Sequence, residues 1–156
     1  MSPSPADRPG VVAPPPVIFA AGVLGGLALH WLAPIPLLRF APVRAAGVLL
    51  VVLSVAWIAL CEREFRRHET SINPYRPSTA LIESGPFRRS RNPVYLGLAG
   101  IHLGIALAVS SLWIALALVP VLAVMRRGVI EREERYLGAK FGEAYERYRE
   151  RVPRWL

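Results

Sequence analysis

The stretch Asn92 to Met125, NPVYLGLAGIHLGIALAVSSLWIALALVPVLAVM, runs for 34 residues without a charged side chain. As one straight helix it would reach about 50 Å, against a bilayer hydrocarbon core of about 30 Å, so a single span is the wrong length. The polar pair Ser110 and Ser111 falls at its middle. The stretch is therefore expected to fold as a helical hairpin with limbs at about 93–109 and 112–126, the second limb kinked at Pro120.

Working outward, two more uncharged runs stand before it: 30 residues between Arg8 and Arg39, and 17 between Arg44 and Glu62. Each is sized for a spanning helix, expected at about 17–33 and 45–61. Pro34 and Pro36 stop the first, and a short loop through Arg39 and Arg44 turns on the far side. The run after Arg8 is longer than a cleavable signal needs, so it is expected to remain as the first helix. Residues 1–16 hold six prolines and are expected to form a disordered leader, with 17–156 a single membrane domain. The fold class is all-α: four transmembrane helices, the last two a hairpin, plus an amphipathic C-terminal helix.

Composition agrees. At 53% hydrophobic residues and a mean hydropathy of +0.36, a 156-residue chain is too apolar for an ordinary soluble globule, and disordered or collagen-like classes are excluded. The single cysteine, Cys61, cannot form an internal disulfide. The net charge of +8 suggests nucleic acid until the positions are read: 16 of 19 Lys and Arg lie in 62–92 or 126–156, two stretches separated by an even number of crossings. That is the positive-inside pattern, which puts both termini and these stretches in the cytoplasm and explains the charge without nucleic acid. Arg39 and Arg44 dissent from it. His30, His68 and His102 lack ligand spacing, so no metal site is expected.

The tail, about 129–152, is the clearest amphipathic element. Ile130, Leu137, Phe141, Tyr145, Tyr148 and Val152 make one helical stripe, opposite a face of Arg and Glu. A helix lying on headgroups would account for it. It would not account for Glu134, a carboxylate on the apolar stripe, which is costly there unless a positive or donating group meets it. A hairpin with both ends on one side brings its ends together, so Arg91 and Glu134 are expected to be neighbours. Alone, that pair is an anchor at the interface.

Residues 83–97, ESGPFRRSRNPVYLG, followed after the hairpin by Glu133-Glu134-Arg135-Tyr136-Leu137 and by Phe141-Gly142-Glu143-Ala144-Tyr145-Glu146-Arg147-Tyr148, add a motif reading. Together they resemble the isoprenylcysteine carboxyl methyltransferase and phospholipid methyltransferase superfamily, over roughly residues 62–156. The resemblance implies an integral membrane enzyme using S-adenosylmethionine. Its cofactor pocket would be formed by the cytoplasmic ends of the last helices, the connector and the tail, with a lipid or lipidated acceptor entering from the bilayer. The best-known members carry His where this chain has Asn92, which removes imidazole chemistry there but leaves hydrogen bonding to the cofactor.

Methyl transfer from a sulfonium needs orientation more than a protein nucleophile. On this reading Arg91 and Glu134 are the catalytic pair. Arg91, a bidentate fork, would hold a carboxylate acceptor, the expected class, and Glu134 would be the base for an amine or thiol. Arg127 would join Arg91 in binding substrate. Cofactor contacts are expected from Asn92, Tyr95, Gly97, Glu133, Glu134, Tyr145, Tyr148 and His68. For Glu133 an ion pair with Arg, and for Tyr145 and Tyr148 helix packing, stand as alternatives; Gly100 and Gly104 are read as packing residues. The polar connector His68 to Pro77 is a lid or a solvent loop. A non-catalytic membrane scaffold with a degenerate pocket is the alternative function.

Overall fold

The computed structural model describes residues 8–38 and 40–156. Three prolines in a row, Pro14 to Pro16, cannot sit inside a helix but suit its first turn, and α1 (Pro15–Leu32) begins on them. It ends at Ala33, before Pro34 and Pro36. Pro42 plays the same part in α2 (Ala41–Arg67). The hairpin follows as α3 (Pro93–Val109) and α4 (Leu112–Met125), turning at Ser110, whose φ of 57° is left-handed, and at Ser111, whose hydroxyl caps α4 by accepting from Ile114 N. α4 runs on through a π turn (Arg126–Ile130) into α5 (Glu131–Phe141), and α6 (Glu143–Arg151) closes the chain. The chain is an all-α membrane protein: Pro15–Leu32, Ala41–Arg67 and the continuous run Leu112–Phe141 are long and apolar enough to span, with Pro93–Val109 a shorter apolar helix. Within that last run α4 is the uncharged part, and the charged side chains begin at Arg126.

Helix pairs α2 with α3 and α1 with α4 make the bundle. Close approach explains the glycines. A Cβ on Gly47 would lie 2.7 Å from the Gly104 carbonyl, and one on Gly26 would lie 2.6 Å from Ile114 Cα. Leu24, Trp31, Leu32, Val52 and Leu53 face outward, as lipid contact requires. His102, buried between helices, bonds the Ile114 carbonyl through Nε2 at 2.8 Å, as its place in an apolar helix suggested.

Three expectations need correction. α2 begins at Ala41 rather than near 45 and extends past Cys61 to Arg67. Helix formation outlasts apolarity there, because Glu and Arg favour helix and pair one turn apart, Glu62 with Arg66 at 3.1 Å. The tail is two helices, broken at Gly142, whose φ of +54° no continuing helix allows. The third concerns the leader. Its residues 1–7 lie outside the described residues, as does Arg39, but the remainder is packed. Val11 is buried against Met125, Val129 and Ile130, Val12 N donates to the Gly128 carbonyl at 3.1 Å, and Arg132 holds the Gly10 carbonyl at 2.6 Å. Proline forbids helix there, not order.

Candidate functional site at the charged end of the bundle

The site is assembled from the start of α3, the head of α5 and the segment after α6. A 3-10 turn, Gly85–Arg88, carries the chain from the connector to α3. It is fastened to α2 by Glu64, which accepts from the Ser84 hydroxyl, and Gly85 is required because a Cβ would come within 2.9 Å of Glu64 Cγ. Residues 90–92 are then laced to the end of the chain. Arg91 N donates to the Pro153 carbonyl at 2.9 Å. The Arg154 carbonyl accepts from Asn92 Nδ2 at 2.9 Å and from Ser90 Oγ at 3.3 Å. Tyr148 closes the lacing, its hydroxyl donating to the Phe87 carbonyl at 2.8 Å.

This frame puts Arg91 beside Glu134, Nη1 to Oε1 at 2.9 Å. Arg154 grips the same carboxylate with both arms of its fork, Nε to Oε1 at 3.0 Å and Nη2 to Oε2 at 2.7 Å. The side chains of Arg91, Glu134 and Arg154 are 11%, 16% and 29% exposed, so the triad is screened only in part and geometry matters. The hydrogen bond to Glu134 holds the Arg154 guanidinium above its ordinary range. Both oxygens of the Glu134 carboxylate are thus met by guanidinium donors. Arg91 Nε, by contrast, is buried with no partner among the described residues.

One residue earlier the surroundings invert. Glu133 meets no guanidinium among the described residues; it accepts a 2.6 Å hydrogen bond from Tyr95. Burial is the main cause that raises its carboxyl from 4.5 to about 7, against the Tyr95 bond that lowers it and with the Glu134 charge adding to the rise. Glu133 faces a cavity of about 120 Å³ walled also by Arg91, Asn92, Tyr95, Tyr136 and Tyr148 and roofed by the connector residues Ser71 to Pro74. The connector is fastened there: Ser78 N donates to the Tyr136 hydroxyl at 3.1 Å and Thr79 N to Thr70 Oγ1 at 2.9 Å.

A family profile described as phospholipid methyltransferase matches residues 43–144. The chain belongs to the phospholipid methyltransferase family. A curated protein of Haemophilus influenzae described as uncharacterized is 38% identical over 63 residues, 40% of this chain and all of that protein. No solved structure matches. In this phospholipid methyltransferase family member, the Glu133 cavity at the charged end of the apolar bundle is the candidate site.

Of the residues singled out from sequence, the structure brings Arg91, Asn92, Tyr95, Glu133 and Tyr148 to the cavity wall, with Glu134 behind Arg91. Tyr145 is buried against Tyr148, its hydroxyl raised by burial and opposed by Arg91. Gly97 is elsewhere. A Cβ there would strike Ile58 of α2 at 2.5 Å, because two residues along a helix from Tyr95 is the opposite face. His68 lies outside too, its Nδ1 on the Glu64 carbonyl at 2.9 Å, ending α2. Arg127 is exposed in the π turn and does not line the cavity. Arg154, Ser90, Glu64 and Tyr136 were missed. Arg154 lies only two residues past the stripe residue Val152, but its contact is set by where the tail bends at Gly142, which periodicity does not reveal.

Proposed function

We propose that this protein transfers a methyl group from S-adenosylmethionine to an amine carried by a membrane lipid, at the Glu133 cavity on the cytoplasmic face. The residues present fit such a cofactor: Arg91 Nε is a buried donor suited to its carboxylate, and the aromatic residues Tyr95 and Tyr136 line the same cavity. When bound, the cofactor supplies a methyl already activated on a sulfonium sulfur, so the chain has only to orient the acceptor and take its proton.

The observation that carries this reading is Glu133, which lines the cavity, has no cation on it among the described residues, and is raised by burial to about 7. An ammonium must lose a proton before its lone pair can attack, and Glu133 is matched to receive that proton near neutrality. Glu134 is unsuited to the task, being held by two guanidiniums. The role that the sequence suggested for Glu134 passes to its neighbour. Arg91 and Arg154 then position the head of α5 through Glu134. A carboxylate acceptor, as in isoprenylcysteine methylation, ranks second because it would compete with the cofactor for Arg91. The arginine-rich stretches beside the cavity support a cytoplasmic orientation.

Incubation of the purified protein with methyl-labelled cofactor and a total membrane lipid extract tests the proposal. The expected product is a lipid labelled on nitrogen, absent from the Glu133→Gln variant. Label on a carboxyl ester would overturn the amine assignment, and no labelled lipid with active cofactor would overturn lipid methylation altogether.

A further inference from the structure

The far end of the bundle holds a feature that methyl transfer does not use. Arg44, in the first turn of α2, is one of the basic residues on the wrong side of the positive-inside pattern. No Asp or Glu occurs from Arg8 to Cys61 or from Ser84 to Ile130, the segments that build this end, so no carboxylate there can compensate its charge. At the charged end, by contrast, Arg91 and Arg154 share Glu134. An uncompensated cation at a membrane face calls for an anion from outside the chain.

We propose that this end binds the phosphate of an anionic membrane lipid, with Arg44 and His30 as its ligands. The two residues line a cleft of about 410 Å³ together with Pro34, Pro36, Val109 and Ser110, within the range of ordinary small-molecule sites. Arg44 Nε donates to the Ala108 carbonyl at 3.1 Å, which fixes the guanidinium at the C-terminus of α3 while its two terminal nitrogens are available for a phosphate. His30 brings a second nitrogen group, and its buried Nδ1 has no partner among the described residues. Ser110 shapes the floor rather than binding: its hydroxyl donates to the Leu38 carbonyl at 2.6 Å and ties the loop to the hairpin turn.

The surroundings of the cleft favour a lipid over free phosphate. Trp31 stands beside His30, 83% exposed, and Trp113 donates its indole N–H to the Ala33 carbonyl at 2.7 Å. Amphipathic indoles settle at headgroup level, so the cleft opens where lipid phosphates lie. The exposed apolar surface of α1 and α2 below it gives the acyl chains a place to run. The site is independent of the proposed methyl transfer and lies at the opposite end of the helices.

The test uses the full chain in nanodiscs of phosphatidylcholine, with and without phosphatidylglycerol, and a third arm of phosphatidylcholine with inorganic phosphate in the buffer. Melting temperature and lipid retained through purification are the readouts. Wild type should melt higher with phosphatidylglycerol and be unmoved by inorganic phosphate. Arg44→Gln should retain about fivefold less phosphatidylglycerol, the factor one surface cation contributes, and His30→Ala should also lower retention while leaving melting in pure phosphatidylcholine unchanged. Arg88→Gln, an exposed cation at the other end, should keep the wild-type response. An equal loss in Arg88→Gln, or a phosphatidylglycerol response untouched by both Arg44→Gln and His30→Ala, would overturn the site; a response to inorganic phosphate alone would overturn the lipid as its ligand.

Discussion

Glu133 and Glu134 adjoin in the chain and do opposite work, because a helix turns them about 100° apart. Glu134 is the centre of an ion triad, and Glu134→Gln would leave two partly buried guanidiniums sharing a neutral amide. We expect a loss on the order of 2–3 kcal/mol in unfolding free energy, toward the lower end for breaking buried pairs because the triad is partly exposed. Glu143→Gln should change nothing measurable, since that side chain is 94% exposed. Chemical denaturation of the two variants makes the comparison. For Glu133 the signature is pH. The folded state holds its proton up to about 7, whereas the unfolded chain releases it near 4.5, so this contribution to stability is complete below about 4.5 and is lost as pH rises through about 7. Glu133→Gln, neutral throughout, should melt above wild type at pH 8 and approach it in acid while losing methyl transfer; parallel melting curves across that range would remove Glu133 as the titrating group. The pairing of Arg91 with Glu134 was legible in sequence, because a hairpin must bring its ends together and a carboxylate on an apolar stripe demands a cation. Arg154 was not, since its contact depends on backbone geometry after Gly142, and the placing of Gly97 near the cofactor overlooked that it lies half a turn away from Tyr95.

Among the elements, the hairpin was readable because its limits are set by bilayer thickness and by two serines, and the observed limbs begin and end within a residue of those expected. The break in the tail was not, because a glycine in an amphipathic stripe reads equally well as helix interior. Gly142→Ala tests that break: with φ at +54° and ψ at −129°, an added Cβ is strained even in open space, and we expect a cost of about 1–3 kcal/mol. A smaller cost would mean that the tail straightens without penalty. The sequence reads the connector as either lid or solvent loop. It roofs a cavity of about 120 Å³, below the roughly 300–1,000 Å³ of small-molecule sites, so a nucleoside-sized cofactor must lift it. Hydrogen exchange across residues 71–80 should therefore change when S-adenosylhomocysteine is added; unchanged exchange there with saturating ligand would contradict a lid.

At the scale of the whole molecule, the charges divide the chain into two ends. One carries the compensated network of Arg91, Glu134 and Arg154 beside the Glu133 cavity, and the other carries Arg44 without a carboxylate. Apolar helices lie between the two ends, and the cavity sits at the charged one. In our proposal that cavity holds the cofactor. Calorimetric titration of the purified protein in nanodiscs with S-adenosylhomocysteine measures this directly. One site per chain is predicted, weakened at least about tenfold in Arg91→Ala, as loss of a charge-assisted hydrogen bond implies. It should be nearly as weak in Arg91→Lys, which keeps the charge without the fork. No binding heat in wild type, or equal binding in all three proteins, would contradict it.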